Sequence, residues 1–92
     1  MLESIIERRC CNWAKSQGII NKKVRHDKGD PDRVFLYQGR VLFIEFKIED
    51  MDARPIQIHR HKELQDQGFL VLVIDNFEVF KTVIETWKRL KE

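Results

Sequence analysis

Apolar positions first recur at three- and four-residue steps, through Leu2, Ile6, Cys10 and Trp13 with Gln17 continuing the row. This spacing predicts a helix over residues 2–17, with Gly18 as its stop. Residues 19–31 are polar and basic, with a short strand expected from residue 19 to 24. The pattern then changes to runs of strand length, residues 34–37 and 41–48, rich in β-branched and aromatic side chains. Only Gln38-Gly39-Arg40 separates them, which predicts a β-hairpin. Both alternating sets in these runs are apolar, as in a sheet covered on its two faces. After a loop at 49–54, Pro55 is placed to open a helix that Gly68 closes. The unbroken apolar run 69–74 reads as a central, buried strand. A final helix over about 77–91 carries Phe77, Phe80, Ile84, Trp87 and Lys91 along one stripe, with Val83 beside it. The element order predicts an α/β fold, a mixed sheet flanked by helices with one further helix at the C-terminus.

Ninety-two residues, 11.1 kDa, make one domain, residues 1–92. A hydrophobic share of 42% with 35% charged residues excludes a disordered tail. No apolar run approaches the roughly 18 residues of a membrane span. The opening Met-Leu-Glu-Ser-Ile-Ile-Glu-Arg-Arg places acidic residues where a signal peptide has none, so the expected location is the cytoplasm. Cys10 and Cys11 are neighbours, which gives neither a disulfide framework nor a zinc site; they read as reduced thiols on a helix, one of them buried. Net charge is only +2, but residues 1–47 hold 10 Lys/Arg against 6 Asp/Glu and residues 48–92 hold 7 against 9. A basic half of this kind suits either a polyanion surface or a solvated face.

The hairpin sharpens the picture. With Gln38 and Gly39 as its turn, Tyr37 opposes Arg40, and the same register carries Asp32 level with Glu45. Lys47 projects from the same face as Glu45, and Phe46 between them from the other. Opposed carboxylates repel, and a divalent cation with a preference for oxygen ligands is the natural compensation. The alternative is that Asp32 lies beyond the strand end in solvent, with Glu45 and Lys47 an ordinary surface pair.

Gly29-Asp30-Pro31-Asp32-Arg33, followed by Ile44-Glu45-Phe46-Lys47, resembles the signature of the PD-(D/E)XK nucleases. It is most similar to the VRR-NUC (virus-type replication-repair nuclease) domains, with their G-x-P-D-R element and E-x-K strand. Glu3 with Ile6 and Cys10 in the first helix, Gln57 in the next and Gly68 before the last strand extend the resemblance over essentially the whole chain. Cys10 replaces a usual aliphatic residue, and Ile58-His59-Arg60-His61-Lys62 is more polar than the family's second helix.

The resemblance implies a restriction-endonuclease-like αβββαβ core and a Mg²⁺- or Mn²⁺-dependent deoxyribonuclease. Asp32 and Glu45 would hold the metal with the Phe46 backbone carbonyl, and Lys47 would orient water and offset phosphate charge. Gln57 would position Lys47 or water. Glu3 would reach the site as a ligand or through water, although Glu7, one turn on, could exchange roles with it. Lys22, Lys23, Arg25, Lys28 and Arg33 are candidate DNA contacts. The similarity to stand-alone phage and bacterial members implies a homodimer acting on branched DNA in the manner of a Holliday-junction resolvase. The competing reading is a non-catalytic nucleic-acid-binding or interaction subunit on a nuclease fold. His59 and His61, two apart, cannot form an i,i+4 metal pair and read as surface or DNA-proximal residues. The Trp87 stripe reads as core or a dimer face rather than a base-stacking platform.

Overall fold

In the computed structural model of the chain, residues 3–24, 29–47 and 55–90 are described. The elements run α1 (Glu3–Ser16), β1 (Ile20–Lys23), β2 (Arg33–Tyr37), β3 (Arg40–Phe46), α2 (Pro55–Asp66), β4 (Leu70–Ile74) and α3 (Phe77–Arg89). This is the expected α/β order. Both α1 and α2 end in the same hydrogen-bonded closure: Gly18 N–H donates to Lys15 and Ile19 N–H to Ala14, and Gly68 and Phe69 repeat this on Gln65 and Leu64.

Among the described residues four strands lie in sequence order, β1-β2-β3-β4, with the first three antiparallel and β4 parallel to β3. The β2–β3 hairpin turns at Gln38 and Gly39, whose φ angles of 47° and 79° are both positive, as a two-residue type I′ turn requires. Tyr37 pairs with Arg40 and Arg33 with Ile44, the register expected from the sequence.

One face of the sheet is packed by α1 and α3. Phe35, Leu42, Ile44, Phe46 and Ile74 meet Ile6, Cys10, Ala14, Phe80, Ile84 and Trp87 there. Trp87 is therefore core. Both cysteines are buried, not one, and burial raises both thiols, Cys10 to about 12. Asn76 caps α3 by accepting from Val79 N–H (2.8 Å). At the other end of α3, Arg40 donates to the carbonyls of Trp87, Lys88 and Leu90, a cation placed on the negative pole of the helix.

The strand expected at the centre is at the edge. Among the described residues β4 pairs on one side only, and Leu70 and Val73 remain 47% and 46% exposed. Its unbroken apolar run reflects contacts on both faces, from α3 on one and α2 on the other, not neighbours on both sides. Among the described residues, no helix is long and apolar enough to cross a membrane.

Candidate active site

Alternation along β3 sends Leu42, Ile44 and Phe46 into the core and Glu45 and Lys47 to the opposite face, towards α2. Asp32 stands one residue before the last β2–β3 pair and falls level with Glu45. Its carboxylate is held in place, Oδ2 accepting from Phe46 N–H at 2.8 Å. Its backbone carbonyl accepts from Val24 N–H at 3.0 Å, extending the β1–β2 pairing past the strand ends.

The preceding loop is fixed against α2. Gly29 has φ +96°, and a Cβ there would lie 2.8 Å from both Cγ1 and the carbonyl oxygen of Ile56. Only glycine fits so close an approach at that backbone angle. The Gly29-Asp30-Pro31-Asp32 segment is thereby docked on the first turn of the helix that bears Gln57.

Glu45, Lys47 and Gln57 are 4%, 8% and 3% exposed and form a chain of polar contacts. Lys47 Nζ donates to Gln57 Oε1 (2.7 Å), and Gln57 Nε2 donates to Glu45 Oε2 (2.9 Å). The ammonium and carboxylate are themselves 3.9 Å apart. An ammonium only donates and a carboxylate only accepts, so a primary amide, which does both, is suited to lie between them. A buried ion pair contributes little to stability by itself because of the desolvation it requires.

α2 shows how the sequence hides part of this site. Its buried residues are Gln57 and His61, one turn apart, both polar. The outer face is solvated and charge-paired: Arg60 and His59 face Glu63, and Lys62 faces Asp66. His61, expected at the surface or near DNA, is instead 7% exposed beneath the helix. Burial pushes its imidazole below the ordinary value and the Lys47 ammonium adds to this, against an opposite pull from Asp30 and Asp32. His61 therefore shares the face that carries the catalytic candidates. Its i,i+4 relation to Gln57 was the available signal.

Across the sheet, Glu7 of α1 accepts from Arg33 Nε (2.7 Å) and Lys23 Nζ (3.1 Å). This bridge ties α1 to β1 and β2 beside Asp32. Glu3 begins α1 and is half-buried. Lys22, Lys23 and Arg33 line a groove of about 850 Å³ between α1 and β1. Arg25 and Lys28 lie outside the described residues. Among the described residues, no group of three or more His, Cys, Asp or Glu side chains is arranged to hold a metal ion.

No protein-family model and no curated protein matches the sequence. The structure, in contrast, is similar to solved ones. One, described as a VRR_NUC domain, superposes with a TM-score of 0.84 at 24% identity, over 92% of this chain and 96% of its own. A second, described as a VRR_NUC domain protein, gives 0.80 at 20% identity, over 100% of this chain and 92% of its own. The α/β fold of this chain is that of the VRR_NUC domain.

Proposed function

We propose that the chain is a Mg²⁺- or Mn²⁺-dependent endonuclease that hydrolyses phosphodiester bonds in branched DNA. The observation that carries the reading is the buried Glu45–Gln57–Lys47 chain set beside a tethered Asp32 on one sheet face. The fold shared with VRR_NUC domains supports it.

The donor set suits a divalent cation. Asp32 and Glu45 bring two carboxylates to one sheet face, where Lys47 is a buried ammonium and His61 is held towards its neutral form. Magnesium is commonly bound through one or two carboxylates, with water and substrate phosphate completing its shell, so a site without three clustered protein ligands remains compatible. Asp32 and Glu45 would hold the ion with the Phe46 carbonyl, and Glu3 would approach as a ligand or through water. Glu7, held by Arg33 and Lys23, is the less available of the two glutamates. When bound, the cation would act as a Lewis acid on the phosphodiester and lower the pKa of water at the site.

The side chains supply the rest. Lys47 offsets charge on the scissile phosphate and orients the attacking water. Gln57 fixes the Lys47 ammonium, and Phe46 N–H fixes the Asp32 carboxylate, so both are pre-organised before substrate arrives. Lys22, Lys23, Arg25, Lys28 and Arg33 contact backbone phosphates, which positions DNA without reading its sequence. A homodimer acting as a junction resolvase would place two sites on one four-way junction. The open β4 edge, with Phe69, Leu70 and Val73 exposed, supports pairing with a second copy. Action in the cytoplasm completes this reading.

The test is cleavage of labelled four-way junction, flap and linear duplex of matched sequence in Mg²⁺, Mn²⁺ or EDTA. Paired nicks near the junction, absent in EDTA, are expected. Cutting of flap or linear duplex in preference to the junction would refute the resolvase reading and leave the chemistry. DNA binding unchanged by metal, with no cutting of any substrate, would favour a binding subunit.

A further inference from the structure

The groove between α1 and β1 lies on the side of the sheet away from Glu45 and Lys47. Along α1, Ser4, Arg8, Asn12 and Lys15 recur at helical spacing and form one wall; Asn21, Lys22 and Lys23 form the other. At its floor, Glu7 is bridged by Arg33 and Lys23, which locks the helix to the sheet and neutralises part of the charge.

The remaining cations are treated differently. Arg8, Lys15 and Lys22 are exposed, and none of them is in an ion pair among the described residues. On the outer face of α2 the same residue types are matched, Arg60 with Glu63 and Lys62 with Asp66. Three like charges gathered around one concave groove repel one another and focus a positive potential within it. Asn12 and Asn21 add amide donors to the lining, and Asn21 is itself fixed by donating to the Cys11 carbonyl. From Arg8 to Lys15 the helix rises about 10.5 Å, close to three steps of a nucleic-acid strand at about 3.4 Å each. The floor at Arg33 adjoins Asp32 in the chain, which sets the groove beside the end of β2 that carries the candidate active site.

We infer that the α1–β1 groove extends the nucleic-acid contact of Lys22 across to α1, where Arg8 and Lys15 hold the sugar–phosphate backbone of one DNA strand flanking the cleaved position. The identity of the polyanion as DNA rests on the nuclease reading; the groove's affinity for a phosphodiester backbone does not. The contacts are to phosphates and carry no sequence information.

The experiment measures binding of a fluorescent four-way junction and of linear duplex DNA in EDTA, by anisotropy from low to moderate NaCl. It compares wild type with the double variant Arg8→Ala, Lys15→Ala and with the control Arg60→Ala, Lys62→Ala. Alanine favours helix at all four positions, and circular dichroism confirms that the proteins fold. Each lost phosphate contact removes about 0.9 from the slope of log affinity against log salt. The groove variant should therefore lose close to two slope units and at least about tenfold in affinity at low salt, and the control neither. A wild-type slope in the groove variant, or an equal loss in the control, would overturn the inference. DNA binding that depends on the groove in a protein that never cuts would leave the groove standing and remove the nuclease reading. Metal-dependent cutting with a groove-independent slope would do the reverse.

Discussion

Replacing Gln57 with Leu tests whether the amide holds the site together. Leucine keeps a similar volume but removes two hydrogen bonds to charged groups, 2.7 Å to Lys47 and 2.9 Å to Glu45. Each such bond contributes about 1.5–3 kcal/mol, a gross loss of about 3–6 kcal/mol. The ammonium and carboxylate, 3.9 Å apart, can then close to direct contact. At an effective dielectric of about 20, closing to about 2.8 Å recovers roughly 1.5–2 kcal/mol. The net cost is about 1–4.5 kcal/mol, or a fall in Tm on the order of 5–25 °C for a domain of this size. Thermal unfolding followed by far-ultraviolet circular dichroism at neutral pH, in EDTA, measures it. A Tm within about 2 °C of wild type would be under 1 kcal/mol and would show that the amide does not bridge the pair.

Three further outcomes follow from the packing. Gly29→Ala forces an L residue to φ +96° with its Cβ 2.8 Å from Ile56, and should cost about 2–4 kcal/mol in urea unfolding while moving Asp32. Asn76→Ala removes the cap on Val79 N–H and should cost about 1 kcal/mol by the same assay. Cys10 has its thiol raised by burial to about 12 from an ordinary 9.0. The unfolded chain thus releases this proton first, and stability present below pH 9 should fall as pH rises towards 12. A melting temperature for Cys10→Ala that falls as steeply as wild type over that range would contradict the assignment.

Much of the architecture was legible because its signals are local. A two-residue turn at Gln38-Gly39 sets the hairpin register, and the register alone brings Asp32 level with Glu45. The stripe of Phe80, Ile84 and Trp87 on α3 marks a core face that the structure confirms. The misplaced strand shows the limit of pattern: the apolar run of β4 records coverage by helices on both faces, and strand order depends on pairing partners distant in sequence. α2 failed for a different reason. Its buried positions are polar, Gln57 and His61, so hydrophobic periodicity carried no sign of which face points inward. The Glu7 bridge to Arg33 and Lys23 joins residues far apart in the chain through tertiary packing alone.

The most direct test of the central claim compares wild type with Lys47→Met under single-turnover conditions on a labelled four-way junction, with and without Mg²⁺. Methionine keeps most of the buried stem and removes only the ammonium, and circular dichroism establishes that the variant folds. The account predicts metal-dependent phosphodiester cleavage by wild type and a loss of at least about a hundredfold in the variant, the scale of removing one pre-organised electrostatic contact. Equal cleavage by a folded Lys47→Met protein, or cleavage by wild type undiminished in EDTA, would contradict it.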